Sequence, residues 1–164
     1  MIVIRRATPA DVEGIAAVHV QSHRETYEPI FGGYSPISST IAQRREQWIP
    51  ALARGDAMFV ADDDGRIVGF CHGRDSTMTT LYLLASHHRR GLGQRLMCEL
   101  LTAMREAGVT EVTFNVLAAN ANAIAFYESQ GARFIRREIV EDPEGPTKDA
   151  VFVISTAPQA RGDR

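Results

Sequence analysis

The stretch of this 164-residue chain with the clearest chemical potential is Ser86-His87-His88-Arg89-Arg90-Gly91-Leu92-Gly93. It is polar, basic and glycine-bearing. It lies between an apolar β-like run and a long amphipathic segment. A strand that feeds such a turn into a helix makes an anion site. The first helical N–H groups are unpaired, the helix dipole is positive there, and glycine lets a phosphate approach the backbone. Three phosphate sites compete for the pattern. A Walker A loop requires G-x-x-x-x-G-K-[ST], and no Lys, Ser or Thr follows Gly93. A dinucleotide fingerprint requires G-x-G-x-x-G, and Leu96 stands where its third glycine would be. The third candidate is the pyrophosphate of coenzyme A. A plain helix start with chance glycines and solvated arginines also accommodates this segment taken alone.

Metal and redox chemistry find less support. Asp62-Asp63-Asp64-Gly65 is acidic, but Asp-Gly between two apolar runs is a hairpin signal and reads as a solvated turn. His87 and His88 are adjacent, not at the i, i+4 spacing of a helical ligand pair. Cys71 and Cys98 are 27 residues apart in apolar context, with neither disulfide nor metal spacing, which suits a reducing compartment. No metal is expected.

The elements that must position the glycine turn follow from periodicity and punctuation. Ile2–Arg6 reads as a strand. Thr8 is placed to cap a helix whose first position is Pro9 and whose first turn holds Asp11, with Val12, Ile15, Ala16 and His19 on one face. Residues 22–36 break the pattern and read as an ordered loop. Residues 41–52 form a second helix carrying Trp48. Residues 57–61 and 66–72 form a hairpin, and residues 79–84 a fourth strand. A long helix covers residues 92–107 and ends at Gly108. Glu111–Leu117 is a strand, residues 120–130 a helix closed by Gly131, and residues 134–140 and 150–155 a terminal hairpin. The whole reads as one domain over residues 1–155, with a flexible tail at 156–164.

Composition narrows the class. Eighteen basic and 20 acidic side chains give a net charge of −2, which excludes a globally basic nucleic-acid binder. Hydrophobic residues make up 45% of the chain, enough for a real core. No apolar run approaches the ~20 residues needed to cross a bilayer, and Met1-Ile2-Val3-Ile4-Arg5 lacks signal-peptide order. The expectation is a cytoplasmic protein that engages neither nucleic acid nor membrane.

Two segments together identify a family. Leu81-Tyr82-Leu83-Leu84-Ala85-Ser86-His87-His88-Arg89-Arg90-Gly91-Leu92-Gly93 resembles the acetyl-CoA motif of the GNAT N-acetyltransferase superfamily, which ends in Gln/Arg-x-x-Gly-x-Gly/Ala. His88 replaces the first residue of that ending. Asn120-Ala121-Asn122-Ala123-Ile124-Ala125-Phe126-Tyr127-Glu128, with Gly131, resembles the family's Asn-x-x-Ala-x-x-Phe-Tyr-Glu…Gly segment. The two occur in the family's order with one strand between them. The resemblance implies an α/β (α+β) fold. Its sheet is mixed, mostly antiparallel, of about six to seven strands, with splayed parallel fourth and fifth strands and about four flanking helices.

The resemblance also implies roles. The pantetheine arm of acetyl-CoA would bond along residues 81–84, Leu83 and Leu84 included. The pyrophosphate would sit on the amides of His88, Arg89, Arg90, Gly91, Leu92, Gly93 and Gln94, with Arg89 or Arg90 adding charge. Asn120 would contact the pantetheine or phosphate arm, though it also reads as an N-cap. Tyr127 lies two helical turns after Asn120, so both can face the cofactor. Acetyl transfer to an amine needs a neutral amine, a donor for the carbonyl oxygen, and a proton for the leaving thiolate. A phenol of pKa ~10 is competent to protonate a thiolate of pKa ~8.5, and the resemblance assigns that proton to Tyr127. A buried Phe126-Tyr127 pair is the plainer reading of the same residues.

Many relatives carry a glutamate on or before the fourth strand. Ser76-Thr77-Met78-Thr79-Thr80 has no carboxylate. Asp75 or His72 could act as base through a water, or the amine could lose its proton to solvent. The family's substrate wall corresponds here to Glu25, Tyr27, Glu28, Tyr34 and Trp48, with Glu141, Asp142 and Glu144 near the last hairpin. Acidic groups beside aromatics suit a cationic amine. Tyr27, Tyr34, Trp48 and Asp75 are the candidate substrate contacts. The implied function is transfer of acetyl from acetyl-CoA to a primary amine of a small molecule or peptide, by direct attack in a ternary complex. The alternative is an idle acyl-CoA-binding module on the same fold. A homodimer is left open.

Overall fold

The computed structural model describes residues 1–33, 39–141 and 146–158. They group into two compact units, Met1–Arg74 with Met78–Leu100, and Asp75–Thr77 with Leu101–Arg164.

The first unit contains three antiparallel strands, the first separated from the second by helices. Strand β1 (Ile2–Arg6) pairs with β2 (Ala57–Asp63), Ile4 opposite Ala61, and β2 pairs with β3 (Arg66–Arg74), Val60 opposite Phe70. The acidic run is the expected turn. Asp64 and Gly65 both have positive φ (49° and 93°), the pair that a two-residue hairpin of matching twist requires. The Gly65 N–H donates to Asp62 Oδ1 at 2.7 Å.

A 3-10 turn at Pro9–Asp11 leads into helix α1 (Val12–Tyr27). Asp11 does more than favour the helix dipole. Its carboxylate accepts from the Thr8 N–H at 2.7 Å and from both terminal nitrogens of Arg5 at 2.7 and 2.8 Å. Asp11 is held below the usual carboxylate range by that guanidinium. Helix α1 runs past the break that the sequence suggests at Ser22. Ser22 and His23 are buried, and the His23 ring packs 4.4 Å from that of Tyr27. A face of serine, histidine and tyrosine reads as polar yet is covered, so apolar periodicity misses it. Helix α2 (Ile41–Arg54) opens on a capping box. The Thr40 N–H donates to Gln43 Oε1 at 2.8 Å, and the Gln43 N–H to Thr40 Oγ1 at 3.2 Å. It closes on Gly55 at φ 72°.

Strand β4 (Thr77–Leu83) and helix α3 (Leu92–Glu106) follow. Gly69 on β3 lets the end of β4 come close. A Cβ there would lie 2.7 Å from Leu83 Cδ1 and 3.0 Å from Tyr82 O. The core of this unit contains Ile15, Val60, Val68, Phe70 and Leu96.

In the second unit, β7 (Thr147–Ser155) lies between β5 (Glu111–Leu117) and β6 (Arg133–Val140), antiparallel to both. Phe152 is the shared register point. It is opposite Phe114 on β5 and Phe134 on β6, and its ring stacks on Phe114 at 5.9 Å. Helix α4 (Ala121–Ser129) connects β5 to β6. Thr156 follows the last strand. Thr156 is buried, with its hydroxyl donating to Val109 O at 2.7 Å and its N–H to Thr110 O at 3.0 Å.

The strand order is β1-β2-β3-β4-β5-β7-β6. Strands β4 and β5 run parallel, paired at Thr77 and Thr113. With four α-helices among the described residues, this is the mixed sheet that the family resemblance implies. Among the described residues, no helix is long and apolar enough to cross a membrane.

Candidate active site

The glycine turn joins β4 to α3. After β4, Leu84 is buried and its N–H donates to Val68 O at 2.9 Å, which fixes the strand end. A 3-10 turn, Ala85–His87, follows. Its first N–H, on Ala85, donates to Glu25 Oε2 at 2.8 Å. Glu25, expected on a substrate wall, therefore caps the approach to the turn. His87 is buried, with its ring between Ser86 Oγ (2.8 Å) and Asp63 Oδ2 (3.4 Å).

The backbone then reverses through two left-handed residues, Arg89 (φ 63°) and Gly91 (φ 73°). Left-handed residues in such a turn can aim successive N–H groups at one concavity, as in an anion nest. Among the described residues, the N–H groups of residues 89–94 carry no backbone hydrogen bond, and Arg95 is the first to bond back, to Gly91 O at 3.1 Å. The His88 N–H does not belong to this set, because it donates to Ala85 O at 3.2 Å. The His88 ring also turns inward, Nε2 donating to Leu83 O at 2.8 Å. Histidine thus holds the strand end where the family motif carries Gln or Arg. Among the described residues, its chain neighbours aside, no atom lies within 4 Å of a Cβ built on Gly91, so the space above it is open. Arg89 and Arg90 are exposed and make no ion pair among the described residues. Leu92 is buried and anchors the start of α3.

In the second unit, Asn120 caps α4, its Oδ1 accepting from the Ala123 N–H at 3.2 Å. Tyr127, two turns on, is buried, with its ring 4.5 Å from Phe114 and 5.2 Å from Phe126. The plainer sequence readings of both residues, cap and aromatic pair, are therefore present in the fold.

The candidate substrate contacts sit on separate elements. Tyr27 ends α1, half-buried, against His23 and Phe31. Trp48 is a core residue, 3% exposed, and its Nε1 donates to His19 Nδ1 at 2.9 Å, which removes it from the wall. Asp75 is exposed at the β3–β4 turn with φ 54°. Glu28 pairs with Arg24 at 3.5 Å. Tyr34, Asp142 and Glu144 lie outside the described residues. Among the described residues, no group of three His, Cys, Asp or Glu side chains could hold a metal.

Sequence reasoning weighed His72 alone and missed its partners. His72 is buried on β3. Its Nε2 lies 2.9 Å from Asp56 Oδ2 and its Nδ1 2.6 Å from Thr79 Oγ1 on β4. Its ring stands edge-on to Trp48 at 5.1 Å. Arg54 donates to the Asp56 carboxylate at 2.8 Å and holds it below the usual carboxylate range, with His72 adding to the effect. Burial pushes His72 below the ordinary imidazole value, against the pull of Asp56. Cys71 beside it is inert, its thiol pushed up to about 12 by burial.

A strand, a turn of amides without backbone partners and a helix N-terminus together make a place of the kind that suits an anion. The chain belongs to the acetyltransferase (GNAT) family, whose model matches residues 20–132, and it is an acyltransferase. It is 28% identical over 139 residues to an uncharacterised N-acetyltransferase of Bacillus subtilis, covering 79% of each chain. It is 32% identical over 81 residues to the [ribosomal protein bS18]-alanine N-acetyltransferase of Escherichia coli, 48% of this chain and 54% of that one. The match thus spans about half that relative's length. Solved structures share the fold. An N-acetyltransferase of Staphylococcus aureus superposes with a TM-score of 0.75 at 17% identity, over 96% of this chain and 99% of that one. The yncA protein of Salmonella typhimurium, solved with its cofactor acetyl-CoA, superposes with a TM-score of 0.71 at 16% identity, over 99% and 98%.

Proposed function

We propose that the chain transfers an acetyl group from acetyl-CoA to a primary amine by direct attack in a ternary complex. The observation that carries this reading is the amide nest at residues 89–94, with left-handed Arg89 and Gly91 and open space above Gly91. Its chemistry fits a pyrophosphate. Several N–H donors and a helix N-terminus converge, with two arginines beside them. Acetyl-CoA, when bound, supplies an acetyl group activated as a thioester.

The chain's own residues do the rest. The amides of Arg89, Arg90, Gly91, Leu92, Gly93 and Gln94 hold the phosphates. The backbone of residues 81–84, which includes Leu83 and Leu84, orients the arm, and an N–H in residues 81–83 stabilises the charge developing on the carbonyl oxygen. Asn120 fixes the start of α4 and contacts the arm. Tyr127 holds at Oη the proton that the departing sulfur takes. The acceptor amine belongs to a small molecule or a peptide. The name of the E. coli relative makes a peptide with a free N-terminal alanine the first acceptor to try.

The test is release of coenzyme A thiol from acetyl-CoA with that peptide, a diamine and an amino acid amide, alongside thermal unfolding with coenzyme A. Coenzyme A should raise the melting temperature by mass action, and at least one amine should release thiol. A melting temperature unmoved by millimolar coenzyme A would overturn the reading.

A further inference from the structure

Resting on the acetyl-transfer reading, we propose that Thr79, His72 and Asp56 form a proton relay that deprotonates the acceptor amine, Thr79 acting as the catalytic residue and the other two as positioning residues.

The hydrogen-bond polarity follows from which groups can donate. An ionised Asp56 only accepts, so the bond at 2.9 Å requires a proton on His72 Nε2. A neutral imidazole then has a lone pair on Nδ1, and the 2.6 Å bond requires the Thr79 hydroxyl to donate to it. With that proton given to the ring, the Thr79 oxygen is left to accept, and the Thr80 hydroxyl lies 3.2 Å from it. His72 is buried and Thr79 is exposed, so the chain of bonds runs from a closed interior to the surface of β4. Thr79 is two residues before Leu81, about 7 Å of strand from the segment assigned to the thioester arm. No carboxylate is present over residues 76–80, and among the hydroxyls there it is Thr79 that bonds the His72 ring.

The transfer balances. As the amine nitrogen attacks, its proton passes to Thr79 Oγ1 while the Thr79 proton passes to His72 Nδ1. The resulting imidazolium faces the Asp56 carboxylate and afterwards returns its proton to water by the same route. The groups facing the His72 ring are set for this. Asp56 favours the charged form. Arg54, Arg74 and burial oppose it, so the ring is neutral and ready to accept at pH 7. Trp48, whose N–H is held by His19, packs against the ring and keeps its plane.

Two readouts test the relay. In the protein alone, ¹⁵N spectra of His72 should show the Nε2–H tautomer at pH 7 and titration below the ordinary imidazole range. A protonated Nδ1 at pH 7 would overturn the relay whatever the activity. In kinetics with the N-terminal-alanine peptide, Thr79→Val should keep its melting-temperature rise with coenzyme A. It should lose roughly 10²-fold in kcat/KM at pH 7, the low end for a positioned base, and recover as pH approaches the amine's own pKa. Thr79→Ser should restore most of the rate. Asp56→Asn should shift the acid limb of the pH profile, which a purely structural role would not do. Thr79→Val with the wild-type rate and pH profile refutes the relay and leaves acetyl transfer standing. A wild-type chain that binds no coenzyme A refutes the transfer reading instead.

Discussion

Lowering the pH from 7 to 5 should destabilise the fold through His19. The ring is 4% exposed and its Nδ1 accepts from Trp48 Nε1. Burial, helped by nearby Arg44 and His23, pushes it down to about 3, against 6.5 for an ordinary imidazole. As pH falls, the unfolded chain takes up the proton first. Stability that is full above pH 6.5 is therefore lost progressively toward pH 3. At pH 5 the unfolded group is charged and the folded one is neutral, a difference of about 2 kcal/mol at ~1.36 kcal/mol per pH unit. His72, also lowered by burial, adds loss in the same direction. Asp11 and Asp56 are held low and lose their contribution only below the ordinary carboxylate value of 3.8. Urea unfolding at pH 7, 6 and 5 measures the effect. His19→Gln retains an acceptor for Trp48 and cannot titrate. The variant should start less stable but lose about 2 kcal/mol less than wild type across that interval. Equal losses in both proteins would refute a buried neutral imidazole at position 19.

Three substitutions probe other parts of the molecule. Gly91→Val places a β-branched residue at φ 73° over open space. It should cost about 1–2 kcal/mol in stability and abolish the coenzyme A thermal shift, because its side chain fills the space that the proposed function gives to phosphate. Tyr127→Phe keeps the ring that packs on Phe114, so the fold should hold. The kcat should fall by roughly 10²-fold or more, with acetyl-CoA affinity little changed in steady-state kinetics. Gly69→Ala drives a methyl to 3.0 Å from Tyr82 O, a backbone atom, and 2.7 Å from Leu83 Cδ1. It should cost about 1–3 kcal/mol, read as a lower melting temperature.

What the sequence made legible was local. The Asp-Gly hairpin, the glycine turn into α3 and the strand Glu111–Leu117 all follow from patterns within a few residues. What it hid was set by contacts between distant segments. Asp56 and His72 are 16 residues apart and meet because the β2–β3 register puts Ala57 opposite Gly73. Thr79 joins them from β4. The C-terminal turns of α1 were hidden because their buried face is made of polar types. Trp48 was misplaced because an aromatic on an amphipathic helix reads alike for core and pocket, until His19 is seen to accept its one N–H. Thr156 looked like tail because a single threonine bonding two carbonyls leaves no periodicity.

The insertion of β7 between β5 and β6 has a consequence for synthesis. Strands β1, β2 and β3 neighbour one another in chain order, so each can pair as it emerges from the ribosome. In the second unit β6, and the edge of β5 away from β4, must wait for a strand made after them. Until β7 arrives, Phe114 and Phe134 lack the ring that covers them both. A premature stop just before Thr147 would therefore not shorten the sheet by one edge. It would leave two unpartnered strand edges at once, the kind of surface that chaperones and proteases read as unfinished.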